Sequence, residues 1–391
     1  MIELIFIVIA FTTAWADYRF FRKLELSKVW GKITVISLLA LLNILPLLSL
    51  LTTAIIADNS QSIMDFASWT LTLYTIATLV RIGFYLGYLT INHKRTSITV
   101  GITIAIVVFS ILCNSLINTR TNLVVKNINI QHNNLPQSFD GFRIALFSDL
   151  HIGSLLYPEQ EIANLAQSIA SQRADMVIFA GDLLHIRHSE ITPIITEILS
   201  TIKAPHGVYA VLGNHDTGVY IKDSTTLSKN ENIAHLNTKI GQIGWSMLRD
   251  STIYAVRGCD SIAVTGVDFT DALLEYKHSF STPDNFSAEE IFASVPKEMF
   301  NIAISHLPQL WQPISNGDYA ELTLSGHVHA TQIAVELFGK RFSPAMLMYK
   351  EWSGLYNKDD NYLYITDGIG SVGFYLRIGA NPELTIIELN R

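Results

Sequence analysis

Four long apolar runs occupy the first 120 residues and constrain the fold of this chain more than any other feature of its sequence. They cover about residues 2–16, 33–57, 67–92 and 99–117. The second run, ITVISLLALLNILPLLSLLTTAIIA, is long enough to cross a hydrocarbon core about 30 Å thick with some tilt. We therefore predict two domains: an N-terminal bundle of about four transmembrane helices in residues 1–120, and a second domain in residues 121–391.

The first apolar run is the shortest, and its end resembles a cleavage site. It closes with AWA, a sequence that signal peptidase can recognise, but the preceding MIEL lacks the basic residues that begin a signal peptide. We expect this helix to be retained. Cleavage is the alternative, and it would place the basic residues that follow on the outer side of the membrane.

The charges between the apolar runs predict the orientation of the bundle. The first connection, DYRFFRKLELSKVWGK, has five basic residues; the second, DNSQSIMD, has none; the third, NHKRTS, is basic again. Because basic loops stay in the cytoplasm, both termini should lie outside. We predict a multi-pass protein of the cell (inner) membrane, with its second domain on the periplasmic or extracellular side.

Arg81 lies near the middle of the third apolar run. An arginine in hydrocarbon is costly unless it is paired or its side chain reaches the interface. Two alternatives follow. Either Arg81 contacts a partner inside the bundle or a lipid headgroup, or the helix is placed so that Arg81 lies near one end, with Tyr85 and Tyr88 in the interface.

Charge also separates the two predicted domains. Residues 1–120 contain nine of the 27 basic residues and five of the 34 acidic residues. Residues 121–391 therefore contain 18 basic and 29 acidic residues. The second domain is therefore acidic and would repel nucleic acid phosphates, so we expect no nucleic acid partner and disfavour a nuclease. The only two cysteines, Cys113 and Cys259, favour neither a disulfide nor a cysteine-based zinc or redox site.

From about residue 121, short β-rich runs alternate with helical stretches. FRIALFSDL (142–150) has the pattern of a buried strand, and Ile162, Leu165 and Ile169 then form one face of a helix. Further strands are predicted at 175–184, 207–216, 262–268, 301–308 and 321–329, and in the closing segments YLYITDGIG and ELTIIEL. This alternation predicts an α/β domain with a mostly parallel core sheet, in which ligands bind beyond the carboxyl ends of the strands.

Five of these strands end in side chains that can bind metal ions: Asp149 and His151, Asp182, Asn214 and His215, His306, and finally His327 and His329. We expect them all at the same edge of one sheet. Alternate residues of a strand share a face, so His327 and His329 should point the same way, with Val328 turned into the core. A glycine, which has no Cβ and so permits a sharp turn, stands directly before three of these candidate ligands: Gly181, Gly213 and Gly326. The pattern predicts a metal site.

Five motifs, SDLHIG, AGDLLH, GNHD, SHLP and GHVHATQ, resemble in this order the conserved blocks of the calcineurin-like metallophosphoesterase superfamily. The segments LPQSFDGFRIALFSDLHIG and YLYITDGIGSVGFYLRIGANPELTIIEL are similar to its bacterial membrane-linked branch, which includes exported phosphodiesterase-like proteins. The resemblance covers about residues 126–391. It implies a four-layer αββα sandwich preceded by transmembrane helices, and a centre of two divalent metal ions.

The resemblance also implies roles for individual residues. One metal ion would be bound by Asp149, His151 and His329, the other by Asn214, His306 and His327, with Asp182 bridging both and His215 beside the substrate. Many relatives have an acidic residue where this chain has His185, so substrate preference is open at that position. We expect His185 and the nearby His188 at the surface or in a pocket wall; a direct catalytic role for either is the alternative.

The chemistry of phosphate ester hydrolysis explains this choice of residues. Water is a poor nucleophile at neutral pH, and two metal ions about 3.5–4 Å apart ionise a shared water and offset the charge on the phosphate. We predict in-line attack on phosphorus by this bridging hydroxide, with His215 either protonating the leaving oxygen or neutralising charge in the transition state. Asp216 either orients His215 or is a structural turn residue. The mixed imidazole, carboxylate and amide ligands suit Mn, Fe, Zn or Ni.

The predicted function is that of a membrane-anchored, metal-dependent phosphoric ester hydrolase. Its substrate would be a phosphodiester, pyrophosphate or phosphomonoester, with phosphodiesterase activity favoured, and would be linked to a lipid or to the cell envelope. The alternative is a membrane protein whose metal site is structural and serves partner binding without turnover. The polar segment 217–235 is a candidate cap over the site.

Overall fold

The computed structural model describes residues 2–23, 29–55, 61–91, 93–222, 227–279 and 286–391. The chain forms two compact units. The helical unit contains Met1–Asn118 together with the short segment Gly373–Leu376, and the α/β unit contains Thr119–Val372 and Arg377–Arg391.

The helical unit is built from four helices: α1 (Ile2–Lys23), α2 (Val29–Ile55), α3 (Gln61–Thr90) and α4 (Lys94–Asn114), the last continued by a π-helical turn at Ser115–Thr119. Helices α3 and α4 approach each other closely where both carry glycine. A Cβ added to Gly87 would lie 2.5 Å from the backbone nitrogen of Gly101, so only glycine permits this distance between the two backbones.

Two helices within the described residues are long and apolar enough to cross a membrane, Gln61–Thr90 and Arg95–Thr119. The prediction of about four spans is therefore too high for the described part of the chain. Helix α1 combines its apolar run with charged residues such as Asp17 and Arg19, and α2 contributes a shorter apolar stretch, Val29–Ile44. Residues 24–28 and 58–60, which belong to the predicted connections, lie outside the described residues, so the orientation stays a prediction.

Arg81 is paired inside the helical unit. Its Nη1 atom lies 2.8 Å from Oδ2 of Asp17 on α1, and both side chains are largely buried. The same carboxylate accepts hydrogen bonds from Asn43 on α2, at 2.8 Å, and from the hydroxyl of Tyr85. Of the two alternatives for Arg81, the structure shows the partner within the bundle. The Asp17 carboxylate joins α1 to α3 through this ion pair and to α2 through the hydrogen bond from Asn43.

The α/β unit contains two six-stranded mixed sheets. The first has the order β1 (Val124–Gln131), β14 (Glu383–Asn390), β2 (Phe142–Phe147), β3 (Met176–Phe179), β4 (Val208–Ala210) and β5 (Ser246–Met247). The second has the order β12 (Gly354–Lys358), β13 (Asn361–Ile365), β9 (Leu322–Ser325), β8 (Asn301–Ile304), β7 (Asp260–Gly266) and β6 (Ser251–Arg257). A separate hairpin pairs β10 (Val335–Leu337) with β11 (Lys340–Phe342).

Neighbouring strands in both sheets are mostly parallel. The antiparallel pairs are β14 with β2 in the first sheet, and β12 with β13 and β6 with β7 in the second. The prediction of one core sheet is therefore wrong: the predicted strands are divided between two. The helices of this unit are α5 (Pro158–Gln172), α6 (Pro193–Ser200), α7 (Lys229–Ile243), α8 (Ala288–Phe292) and α9 (Trp311–Asn316). Short 3₁₀ turns lie at Gln137–Phe139, Ile152–Ser154, His188–Glu190, Asp271–Tyr276, Pro308–Leu310, His329–Gln332 and Pro344–Leu347.

Alternation of apolar side chains explains why the two sheets pack face to face. In β2, Ile144 belongs to a buried cluster that includes Ile302 and Leu324 of the second sheet, whereas Phe147 belongs to a cluster with residues of α5, α6 and α7. Successive residues of a strand point to opposite faces, so each sheet has one face for the other sheet and one for helices. On the second sheet, Ile365 clusters with Trp311 of α9. This arrangement is consistent with the αββα sandwich.

Helix α5 confirms its sequence prediction. Ile162, Leu165 and Ile169 are all buried on one face, and a proline at the first helical position starts the helix. The candidate cap, segment 217–235, contains the start of a helix: α7 begins at Lys229 with Ser228 as N-cap. Residues 223–226 lie outside the described part, so the role of the segment as a cap stays a prediction.

Candidate metal centre

The predicted site residues follow the carboxyl ends of strands from both sheets. Asp149 and His151 follow β2, Asp182 follows β3, and Asn214 and His215 follow β4, all in the first sheet; His306 follows β8, and His327 and His329 follow β9, in the second. We expected one edge of one sheet. The residues meet instead because the two sheets pack with these strand ends at the same side of the sandwich.

Five of these residues have left-handed backbone conformations: Asp149 (φ 53°), His151 (φ 41°), Asp182 (φ 62°), His327 (φ 73°) and His329 (φ 51°). This conformation is uncommon outside glycine and is typical of functional sites held by the surrounding fold. It also corrects the prediction for LSGHVHATQ. Strand β9 ends at Ser325, so the two histidines lie in a turn beyond it and not on one strand face, although Val328 is buried as expected.

One group of potential ligands consists of Asp149, His151 and His329. The Nε2 atom of His329 lies 3.1 Å from Oδ1 of Asp149 and 3.1 Å from Nε2 of His151. All three side chains are buried, and their ligand atoms lie within 4.8 Å of one another.

A second group consists of Asp182, His306 and His327, whose ligand atoms also lie within 4.8 Å of one another. Nε2 of His306 lies 3.2 Å from Oδ2 of Asp182 and 3.2 Å from the side-chain oxygen of Asn214. Asp182 also links the two groups, because the same Oδ2 atom is 3.6 Å from Nε2 of His151. The neighbours of Asp182 thus come from both groups.

The second ring nitrogens of three histidines are bound to backbone carbonyls. Nδ1 of His151 lies 3.1 Å from the oxygen of Leu184, Nδ1 of His306 lies 2.8 Å from that of Ala180, and Nε2 of His327 lies 2.5 Å from that of Lys277. A carbonyl accepts a hydrogen bond only from a protonated nitrogen, so in the neutral imidazole the other nitrogen has the lone pair that can bind a metal ion. This is how proteins orient histidine ligands toward metal ions. The residues therefore fit a divalent metal centre.

Arg377 is a buried neighbour of the site that the sequence analysis missed. Its guanidinium donates to the carbonyls of Gly370, Ala380 and Asp367 and lies 3.4 Å from Nδ1 of His329. The signal available in the sequence was the glycine-rich DGIG turn before it. A Cβ on Gly368 in that turn would lie 2.8 Å from Cβ of Asp149.

The charges of the site shift several pKa values. Burial alone would raise the pKa of Asp182, but His306 and His215 hold it well below its usual value. Burial lowers the pKa of His327 to about 3, whereas Asp182 raises the pKa of His306 to about 9 against the effect of burial. His306 and Asp182 therefore form a charged pair in the metal-free protein, and a metal ion would replace the proton on His306.

His215 is held by Asp182 and by the backbone of His185. Its backbone nitrogen donates to Oδ1 of Asp182 at 2.8 Å, and its Nδ1 lies 2.6 Å from the carbonyl oxygen of His185. Asp216 instead accepts hydrogen bonds from the backbone nitrogens of Asp182, Leu184 and Gly213, at 2.8, 2.9 and 2.9 Å. The Asp216 carboxylate thus ties two motif loops together, which agrees with the structural alternative and not with the orienting one.

His185 is buried beside His215, with 5% of its surface exposed. The two rings are stacked at a centroid distance of 5.6 Å, and a nitrogen of His185 lies within 4.8 Å of nitrogens of His151 and His215. Four backbone nitrogens bound to the carboxylate of Glu190, including that of His185, hold this loop. Of the two predicted positions, the burial of His185 excludes the surface. His188 is partly exposed and stacks on His235.

A polar cavity of about 630 Å³ lies elsewhere, at the amino ends of β9 and β13. His132, Asp318, Glu321 and Asp360 are among the residues that line it, and no residue of the candidate metal centre does. Its position away from the carboxyl ends of the strands separates it from the chemistry described above.

Comparison with known proteins identifies the α/β unit. Residues 142–331 match the family model of the calcineurin-like phosphoesterases. This region is a calcineurin-like phosphoesterase domain. The metallophosphoesterase YkuE of Bacillus subtilis is 27% identical over 264 residues, which are 65% of this chain and 81% of that protein. The resemblance found from the five motifs is thus confirmed.

Two further relatives differ in what their names describe. A transmembrane protein with a metallophosphoesterase domain from Danio rerio is 26% identical over 77% of this chain and 64% of its own length. The UDP-2,3-diacylglucosamine pyrophosphatase LpxG of Chlamydia trachomatis is 24% identical over 65% of this chain and 86% of its own length. The metallophosphoesterase domain thus occurs in a relative named as a transmembrane protein and in one named as a pyrophosphatase.

Proposed function

We propose that the protein is a metal-dependent phosphoric ester hydrolase with two divalent metal ions. The observation that carries this proposal is the position of Asp182, whose Oδ2 atom has a histidine of each group as neighbour, His306 at 3.2 Å and His151 at 3.6 Å. A carboxylate between two sets of imidazoles can bridge two cations. One ion would be bound by Asp149, His151 and His329, the other by Asn214, His306 and His327, with Asp182 shared.

Two ions bound there would supply an ionised water and offset the charge that develops on the phosphate oxygens. His215 performs the proton transfer. Its Nδ1 is held by the carbonyl of His185, which leaves Nε2 as the nitrogen available to the leaving oxygen. Asp216 keeps the loops of Asp182 and Gly213 in register. The mixed nitrogen and oxygen ligands suit Mn, Fe, Zn or Ni.

The substrate we propose is a phosphodiester or pyrophosphate linked to a lipid or to the cell envelope, with a phosphomonoester as a further possibility. Two apolar helices long enough to cross a membrane support membrane anchoring, as does the relative named as a transmembrane protein. LpxG, whose name describes a pyrophosphatase of a diacylated sugar nucleotide, supports the substrate class. We propose a multi-pass cell membrane protein with its catalytic domain on the periplasmic or extracellular side.

The test uses the full-length protein in detergent. With Mn²⁺, it should hydrolyse bis(p-nitrophenyl) phosphate, and Asp182→Asn should lower both the rate and the metal content, since an amide has no negative charge to share between two cations. Asp140→Asn is the matched control, because Asp140 is exposed and its carboxylate accepts a hydrogen bond from the backbone nitrogen of Arg391 and not from a residue of the site. An Asp182→Asn protein with normal turnover and two bound metal ions would refute the proposed centre.

A further inference from the structure

We propose that Lys277 and Tyr220 form a binding site for a second anionic group of the substrate, on the side of the leaving group. The substrate class implied is a pyrophosphate, or an ester whose leaving group carries its own phosphate. This inference rests on the proposed function, in which His215 faces the leaving oxygen. The side of the leaving group is identified by the position of His215.

The position of the lysine ammonium follows from a chain of contacts that starts at His215. The ring of Tyr220 is stacked on that of His215, with the centroids 4.2 Å apart and the planes inclined by 30°. The hydroxyl of Tyr220 accepts hydrogen bonds from Nδ2 of Asn214 at 2.9 Å and from Nζ of Lys277 at 2.7 Å. The ammonium therefore lies one side chain away from both the proton-transfer residue and a proposed metal ligand.

The backbone of Lys277 is fixed to the same site. Its carbonyl oxygen accepts hydrogen bonds from Nε2 of His327 at 2.5 Å and from the hydroxyl of Tyr349 at 2.7 Å. Gln309 donates to the carbonyls of Tyr276 and Ser279 on either side, both at 3.1 Å. These hydrogen bonds fix the backbone of Lys277 relative to the proposed metal ligand His327. A residue that binds substrate needs such a fixed position.

The charge of Lys277 has no carboxylate counterpart in the described part of the chain. Its ammonium bonds to the phenol of Tyr220 and lies 4.8 Å from the centre of that ring. By contrast, Arg249, Arg341 and Lys126 each pair with a carboxylate. Lys277 is only half-buried, so its ammonium can turn from the phenol to an incoming anion. Breaking a hydrogen bond to a neutral phenol costs less than breaking an ion pair with a carboxylate.

The reaction explains why a cation belongs on this side. Water loses a proton and its oxygen forms a bond to phosphorus, the bridging P–O bond breaks, and its electron pair goes to the leaving oxygen, which receives a proton from His215. When the leaving group is itself a phosphate, this electron pair adds to a charge already present. A positioned ammonium stabilises that charge more in the transition state than in the bound substrate. A leaving group without a phosphate gains less from it.

The experiment compares two substrates in the detergent-solubilised, Mn²⁺-loaded full-length protein: UDP-glucose, a pyrophosphate diester, and bis(p-nitrophenyl) phosphate. In Lys277→Met, the ratio of kcat/KM for UDP-glucose to that for the aryl diester should fall about 10- to 100-fold, the range expected for a hydrogen bond to a charged group. Lys277→Arg should restore part of the ratio. The exposed Lys297→Met is the matched control and should leave the ratio unchanged.

An equal loss on both substrates would overturn the proposal, because it would show that Lys277 only holds Tyr220 in place. In that case Tyr220→Phe, which keeps the stacked ring and removes the hydroxyl, would cause the same equal loss on both substrates. Calorimetric titration with inorganic pyrophosphate tests binding without turnover: its Kd should rise about tenfold in Lys277→Met. If the wild-type protein hydrolyses neither substrate, the proposed function fails, and this titration still decides the role of Lys277, since equal affinities would refute it.

Discussion

Gly213 offers the sharpest test of how the candidate metal centre is built. A Cβ added to this residue would lie 2.1 Å from Oδ1 of Asp182 and 2.5 Å from its backbone nitrogen, whereas ordinary van der Waals contact begins at 3.4 Å. In Gly213→Ala, either the Asp182 carboxylate or the loop of Gly213 must therefore move by about 1.3 Å. The Asp182 carboxylate accepts a hydrogen bond from the backbone nitrogen of His215, and the Gly213 nitrogen donates to Asp216, so neither can yield without breaking a buried hydrogen bond.

The expected effect on chemistry follows from this displacement. A shift of about 1 Å in a catalytic group can cost about 100-fold in rate, and disturbed support of a metal ligand typically costs 10- to 100-fold in metal affinity. Overpacking of a dense core costs about 1–3 kcal/mol in stability. We expect Gly213→Ala to fold, to retain less than its full complement of metal, and to hydrolyse bis(p-nitrophenyl) phosphate about 100-fold more slowly.

The assay combines metal analysis of the purified protein, initial rates with added Mn²⁺, and thermal unfolding. Gly241→Ala is the matched control: Gly241 lies within α7, and nothing lies within 4 Å of a Cβ built there. That change should raise stability slightly, since alanine is favoured over glycine inside a helix by about 1 kcal/mol. If Gly213→Ala keeps both its metal and a rate within threefold of wild type, the close packing of Asp182 against this loop does not position the ligand.

Two further predictions concern the charged pairs of the molecule. Asp17→Ala should destabilise the helical unit by about 3 kcal/mol, because it leaves Arg81 buried without its partner, whereas the double variant Asp17→Leu with Arg81→Met should lose less. Thermal unfolding in detergent measures both, and equal losses would mean that the pair is not coupled. In the α/β unit, His306 has a pKa of about 9, raised by Asp182 despite burial, so below that pH a metal ion must displace its proton. The apparent affinity for Mn²⁺ should rise about tenfold per pH unit from pH 6 to 8 and level off above about pH 9; a calorimetric affinity independent of pH would argue against His306 as a ligand.

Several structural features were beyond the reach of sequence reasoning for a physical reason. The period of two in β9 suggested that His327 and His329 share a strand face, but both lie in left-handed conformations beyond the end of that strand. Such conformations depend on tertiary hydrogen bonds, for example from the backbone nitrogen of His327 to the Asp149 carboxylate at 3.0 Å. The same holds for Arg81, whose partner is 64 residues away in the chain.

The sequence alone determined which chemistry is available. Apolar strands that end in Asp, Asn and His place ligands of the right type at one end of an α/β fold, and five motifs in order resemble the phosphoesterase family. Both signals could be found because composition, motifs and strand periodicity depend only on residues that are neighbours in the chain. Only the tertiary structure decided that two sheets and not one supply the ligands, that Asp216 ties loops together, and that Lys277, Tyr220 and Arg377 lie beside the site. These features depend on contacts between residues far apart in the chain. The packing of one sheet on the other brings those residues together, and no local sequence pattern predicts it.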